Sequence, residues 1–298
     1  MYKAFYGLKT NPFELSPDPK FFFGTPRHNE ALASLSHGID RRKGFIVVTG
    51  EVGTGKTLLA RCLLQSLSWQ KIAFAYVFNP ILSTLEFLQY AARDMDVPVI
   101  GATKGELLAE LNRYLISRHH QNSTAALIVD EAHLLSWDLL EEIRLLTNLE
   151  TSKEKLLQIV LIGQPELDDK LNSQDLRQLK QRVALRCFLE PLSRQQAQQY
   201  IERRLWFAGA RDRHTRIFSP ESVDLIHAYS NGIPRLINTI CEAALITSFA
   251  LKRPAVQGDS IQEVASDFCL NLSRRNTEHR PADKVTLAAL SAANALGK

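Results

Sequence analysis

Cysteine is scarce: the 298 residues hold four, at positions 62, 187, 241 and 269. No two stand at C-x-x-C spacing, which excludes a zinc ribbon or a thioredoxin-like redox motif. Scattered single thiols fit a reducing cytoplasm. Long apolar runs are missing too. The opening stretch MYKAFYGLKTNPF has no apolar core of signal-peptide length. The longest late run, 243–251, is interrupted and too short for a bilayer. The expectation is a soluble chain without direct membrane insertion, whose membrane association would come through a partner. A strong excess of one charge is also lacking. Lys and Arg number 36 against 32 Asp and Glu, a net charge of +4, too mild by itself to indicate nucleic acid. What is present is ordinary for a globular protein: 45% hydrophobic and 23% charged residues. The length suffices for one large α/β domain and a smaller one.

The patterning divides the chain. Residues 1–26 carry Pro12, Pro17, Pro19 and Pro26, which resist helix and central strand alike. They read as an extended arm anchored on the main domain by Phe5, Phe13, Phe21 and Phe22. Helical spacing follows over 27–41. Short aliphatic runs predict strands at 45–49, 73–78, 125–129, 157–162 and 184–189. Helical patterns fill the gaps at 56–67, 84–95, 105–117 and 137–149. This alternation predicts an α/β domain over 27–190, with a central, mostly parallel sheet flanked by helices on both faces. After Pro191 only helical patterns remain, at 195–207, 221–229, 236–251 and 261–272, so a small all-helical domain is expected over 191–272. Residues 273–298, polar and then Ala-rich, read as a loose tail with a short helix near 287–296.

The segment Gly50-Glu51-Val52-Gly53-Thr54-Gly55-Lys56-Thr57 fits the phosphate-loop pattern G-x-x-x-x-G-K-[ST] in full, with a strand before it and a helix after it. Gly50, Gly53 and Gly55 are expected to turn with positive φ and bring N–H groups close to phosphate oxygens. The helix starting at Lys56 adds partial positive charge. Lys56 would reach the β- and γ-phosphates, and Thr57 would ligate Mg²⁺. ATP and Mg²⁺ are the expected cofactors.

The run 125–129 ends in Asp130-Glu131. Carboxylates at the tip of a buried strand need a partner. Beside a phosphate loop, Asp130 would orient Mg²⁺ through water and Glu131 would polarise the attacking water; helix capping is the plainer role. The strand at 73–78 lies between the two motifs and is expected to set Glu131 across from the phosphates. Asp130-Glu131-Ala132-His133 spells the D-E-A-H string of some helicases, but too little chain follows residue 189 for a second motor domain. His133 reads as a local polar contact or a relay to nucleotide. Gln164, at the end of the 157–162 run, reads either as a sensor of the γ-phosphate or as a turn residue.

Two arginine groups stand out. Arg177 and Arg182 are expected at a helix end near the domain edge, and one of them, with Arg182 favoured, could reach a neighbouring subunit's γ-phosphate. Cations favoured at a helix C-terminus are the competing account, as for Lys180 and Arg186. Asn231-Gly232-Ile233-Pro234-Arg235 sets a turn and starts a helix. An arginine in that first turn opposes the helix dipole. Either a bound phosphate compensates it or its head lies in water.

These motifs, with FYGLKTNPFELSPDPKFFF, LIVDEAHLL, LLTNLET, LLQIVLIGQPEL, LRQLKQRV and NGIPRLIN, resemble the ExeA/GspA family of AAA+ ATPases (general secretion pathway protein A). The MSHA-biogenesis and TniB/MuB-type ATPases are similar in layout. The resemblance covers about residues 1–270. It implies Gly50–Thr57 as Walker A, Asp130 and Glu131 as Walker B, Gln164 near sensor 1, Arg182 as arginine-finger candidate and Arg235 as sensor 2. It further implies a helical lid, a homo-oligomer and a protein partner in an envelope assembly, with the chain cytoplasmic and recruited to the inner membrane face by that partner. Full-length members carry a transmembrane segment and a periplasmic peptidoglycan-binding portion that residues up to Lys298 do not show. The leading expectation is an ATPase driving or regulating assembly of a secretion, pilus or exopolysaccharide-export machine. The alternative is a DNA-binding accessory ATPase of transposition, which Arg274, Arg275, Arg280 and Lys284 permit.

Overall fold

Aliphatic runs form the strands β1 (Phe45–Gly50), β2 (Ala73–Val77), β3 (Ala125–Val129), β4 (Leu157–Gly163) and β5 (Val183–Leu189) of one sheet. The structure is a computed structural model that describes residues 2–70, 72–98, 103–210 and 217–272. The strand order is β2-β3-β4-β1-β5, and every pairing is parallel. The central strands are buried along their whole length, as parallel strands covered on both faces must be. The pleat sorts their side chains: on β1, Phe45 and Val47 join one core while Ile46 and Val48 join the other. The strand order also corrects one expectation. The strand lying between β1 and β3 is β4, whereas β2 is at the edge.

Helices α2 (Pro26–Asp40) and α3 (Lys56–Trp69) cover one face of the sheet. Helices α4 (Thr84–Asp94), α5 (Lys104–His120), α6 (Trp137–Leu146), α7 (Pro165–Asn172) and α8 (Arg177–Lys180) cover the other. Local chemistry starts them. Thr25 caps α2 ahead of Pro26, and reciprocal capping boxes open α4 (Ser83 with Glu86) and α5 (Thr103 with Glu106).

A separate core joins α9 (Arg194–Phe207), α10 (Pro220–Ser230), α11 (Pro234–Ala250) and α12 (Gly258–Asp267). The N-terminal segment packs mainly into this helical core, through Tyr2, Tyr6, Leu8 and Phe13, while Phe22 packs on the α/β core and the Pro17 carbonyl is held by Arg61 of α3. The segment begins as the short helix α1 (Tyr2–Tyr6), where an extended chain was expected. Phe13 and Phe21 are buried as expected and Phe22 is half-buried; Phe5 is 40% exposed yet packs edge-on to Phe249, and Tyr2 and Tyr6 anchor the helix with it. Tyr2 Oη donates to Glu242 Oε1 at 2.7 Å and Tyr6 Oη to the Arg253 carbonyl at 3.1 Å. Arg204, 6% exposed, binds the segment further along. It donates to the Pro12 carbonyl at 2.9 Å and lies 4.5 Å from the Phe21 ring centroid. Among the described residues no helix is long and apolar enough to cross a membrane. The expected tail and its short helix, with Arg274, Arg275, Arg280 and Lys284, lie outside the described residues.

Candidate functional site

The carboxyl ends of β1, β3 and β4 face a cleft of about 380 Å³, the end of an open α/β sheet where ligands bind. Its floor is the loop that links β1 to α3. Gly53 and Gly55 have φ of 81° and 100°, conformations that glycine alone adopts freely. Gly50 does not share this property. A Cβ there would lie 2.8 Å from the Leu189 carbonyl, so close backbone packing, not positive φ, demands glycine at 50. Thr54 braces the loop by donating to the Glu51 carbonyl at 2.8 Å.

Lys56 opens α3 and is 6% exposed. Its Nζ donates to the Gly50 and Glu51 carbonyls at 2.8 and 2.9 Å. Burial pushes its pKa down, while the carboxylates of Glu131 and Asp130 oppose that shift. Thr57, in the same first turn, lines the cleft with Val52 and Gly53. The N–H groups of this turn have no helical acceptors, so the loop and helix start form an anion cradle.

Asp130 follows β3 and is 3% exposed. It accepts from Tyr76 Oη at 3.0 Å and from the Glu131 amide at 2.9 Å. Burial, and then the Asp130 charge, push the Tyr76 phenol upward, so it stays a neutral donor. Glu131 has φ of 51°, a left-handed turn that sends its side chain into the cleft lining. Gln164, the residue before α7, lines the same cleft. His133 stands between these two, with Nδ1 3.5 Å from Glu131 Oε2 and Nε2 2.9 Å from Gln164 Nε2.

The helical core closes the opposite wall. The Arg235 amide donates to the Gly53 carbonyl at 3.3 Å, and its side chain lines the cleft beside Asn238, Tyr200 and Arg204. Residues 15–18 of the N-terminal segment complete that wall, tied to α3 by Arg61 Nη1 on the Pro17 carbonyl at 2.7 Å. The structure thus brings Val52, Gly53, Gly55, Lys56, Thr57, Glu131, Gln164 and Arg235 to the lining of one cavity, whereas Gly50, Glu51, Thr54 and Asp130 are outside that lining.

Arg182 is elsewhere. It precedes β5, whose Val183 is level with Phe45 while Leu189 is level with Gly50. Five residues of strand separate those levels, roughly 17 Å along the sheet. Its guanidinium is bound to Thr147 Oγ1, and to Asn148 Oδ1 at 2.7 Å. Arg177 begins α8 rather than ending a helix, and is exposed. Arg186 pairs with Asp168 at 2.7 Å.

His28 belongs to no motif of the sequence. Its Nε2 lies 3.0 Å from the Thr54 carbonyl and its Nδ1 2.6 Å from Thr25 Oγ1, so the first turn of α2 props the loop from beneath. The sequence signal was the Thr25-Pro26 helix start.

A family profile described as AAA domain matches residues 39–171. General secretion pathway protein A of Aeromonas hydrophila is 45% identical over 251 residues, covering 84% of this chain and 45% of that protein. The chain therefore spans less than half the length of that relative. Cdc6p of Pyrobaculum aerophilum superposes with a TM-score of 0.64 at 19% identity, over 84% of this chain and 71% of that one. The Aeropyrum pernix ORC2 protein (ADPNP-ADP complexes) gives 0.59 at 17% identity, over 81% and 67%. The Thermotoga maritima RuvB Holliday junction branch migration motor gives 0.52 at 15%, over 86% and 72%. At such identities the likeness shows the fold alone, and that fold is the AAA+ one. The parallel sheet, the phosphate loop and the 45% identity make the chain a member of the general secretion pathway protein A-like family of AAA+ ATPases.

Proposed function

We propose that the chain binds ATP with Mg²⁺ at the Gly50–Thr57 loop, hydrolyses it, and uses the cycle to drive or regulate assembly of a secretion, pilus or exopolysaccharide-export machine. The observation that carries the ATP reading is the Lys56 ammonium, buried over backbone carbonyls at 2.8 and 2.9 Å and facing a carboxylate pair. The residues fit the cofactors. The loop has positive φ where backbone must approach phosphate, and the cation donors are hard oxygens, the Thr57 hydroxyl and, through water, Asp130. When bound there, Mg²⁺ would neutralise charge on the β- and γ-phosphates.

The protein's own groups do the rest. Lys56 exchanges its carbonyl partners for phosphate oxygens. Glu131 orients a water against the γ-phosphate, and Gln164 reads that phosphate or the same water. Arg235 contacts nucleotide from the helical wall, coupling its closure to nucleotide state. Residues 191–272 would act as the lid, with the 1–26 arm linking it to α3 through the Arg61–Pro17 contact. Arg182 is too far along the sheet to serve its own loop, so it fits a finger acting on the next subunit of a homo-oligomer, with Arg177 as the alternative. A cytoplasmic location at the inner membrane face and an envelope partner follow from the secretion-pathway relative. The DNA-accessory alternative rests on basic residues outside the described ones.

Phosphate release at rising protein concentration tests the proposal. Glu131→Gln should bind ATP yet turn over roughly 10²–10⁴-fold more slowly. Specific activity should rise with concentration, and that rise should vanish in Arg182→Ala. Undiminished turnover in Glu131→Gln would remove Glu131 from its role.

A further inference from the structure

We propose that His133 is a positioning residue that couples Glu131 to Gln164, so that one imidazole sets both the water-orienting carboxylate and the amide facing the γ-phosphate. The proposal rests on the ATPase reading above.

Glu131 and Gln164 leave the ends of adjacent strands, β3 and β4, and each reaches the cleft from a loop. His133 is the side chain between them and is 12% exposed. Its Nε2 lies 2.9 Å from Gln164 Nε2, and its Nδ1 3.5 Å from Glu131 Oε2. The Gln164 backbone N–H also points at Nδ1, at 3.5 Å, which keeps the ring against the start of α7.

The ring has little room to swing. The His133 carbonyl accepts from Lys170 Nζ at 2.6 Å, and the same ammonium reaches the Leu135 carbonyl at 2.9 Å. A Cβ on Gly163 would lie 3.1 Å from the His133 nitrogen, so the end of β4 is pressed against this turn. Glu131 itself is 40% exposed and would otherwise sample several rotamers.

A neutral imidazole has one donor and one acceptor. Nδ1 faces both the Gln164 backbone N–H and Glu131 Oε2, each at 3.5 Å; when the Gln164 side-chain N–H donates to Nε2, the ring proton is placed on Nδ1, toward the carboxylate. In that tautomer Nδ1–H is directed at one oxygen of Glu131 across 3.5 Å and leaves the other for water. The Gln164 carbonyl oxygen and its second N–H remain for the cleft. A displacement of either partner is then felt by the other, which ties sensing of the γ-phosphate to readiness of the base.

The test is steady-state hydrolysis together with Mg-ATP binding on the full chain. His133→Ala should lower kcat by roughly 10- to 100-fold, within the contribution of a positioned general base, with the dissociation constant for Mg-ATP within about twofold of wild type. His133→Asn, which keeps a donor near the Nδ1 position, should recover a large part of the rate; it is the variant to read if alanine fails to fold. Gln164→Ala and His133→Ala combined should cost no more than the larger single loss, because both break one coupled unit. Wild-type kcat in His133→Ala, parallel loss of binding and rate in both His133 variants, or multiplying losses in the double variant would overturn the proposal. If Glu131→Gln is inactive while His133→Ala is normal, the ATPase reading survives and this coupling does not. If wild type and Glu131→Gln hydrolyse ATP equally, both fall.

Discussion

Replacing Gly53 with alanine should weaken Mg-ATP binding by roughly 5- to 30-fold, and the figure follows from backbone geometry. Gly53 holds φ of 81°. A left-handed conformation costs a residue with a Cβ roughly 1–2 kcal/mol. The new Cβ would also lie 2.8 Å from Arg235 Cβ and 2.9 Å from Ile233 Cγ2, contacts that real Cβ atoms do not make. The loop escapes the strain by leaving the conformation that cradles phosphate, and nucleotide must then restore it. At about 1.4 kcal/mol per decade, that restoration is the stated loss of affinity. Gly7→Ala is the control. Gly7 has φ of 70° but open space where the Cβ would go, and it is outside the cleft. It carries comparable strain without touching the loop, so denaturant stability should fall and affinity should not. Isothermal titration of both variants, with urea denaturation alongside, gives the answer. Wild-type affinity in Gly53→Ala, or equal losses in the two variants, would show that backbone strain at Gly53 does not set nucleotide affinity.

Two further expectations come from the supports of the cleft. Arg204→Ala removes the donor to the Pro12 carbonyl and the cation over Phe21, and should cost about 2–4 kcal/mol in urea denaturation while freeing residues 12–18 to proteolysis; an unchanged midpoint and cleavage pattern would contradict it. His28 gives a pH dependence. Burial lowers its pKa below the ordinary 6.5, so the folded chain keeps the ring neutral where the unfolded chain protonates it. Its contribution is therefore complete above the unfolded value and is lost as pH falls from there through the depressed value. Thermal midpoints at about pH 7.5 and about pH 5.5 should fall further for wild type than for His28→Gln. Equal falls would show that His28 is not the group responsible.

Much of the sheet was legible because its signals are local. Each strand is a short aliphatic run, and the glycines and lysine of the loop follow β1 without a gap. The placement of β4 between β1 and β3 was not legible, since strand order is set by packing across the whole domain. Helix α1 escaped notice because five residues beside a proline-rich stretch have little intrinsic helicity; the Tyr2 bond to Glu242, 240 positions away, holds it. Phe5 does pack on Phe249, but the helix leaves it 40% exposed while burying Tyr2 and Tyr6, a difference that composition does not carry. Helix α7 could have been read from Pro165 at its first position and Glu166 behind it. Gly50 shows a subtler limit: the pattern names the residue correctly, but its reason is the Leu189 carbonyl, which belongs to a strand far along the chain. The His133 contact with Gln164 spans 31 positions and leaves no periodic trace.

In the proposed function the 50–57 loop grips a triphosphate through its backbone and Lys56. Titration of wild type and Lys56→Ala with ATP in the presence of magnesium decides whether it does. Saturable binding is expected for wild type, and none in the same concentration range for Lys56→Ala with its folded circular dichroism retained. Equal heats from the two proteins, or none from wild type, would contradict that function.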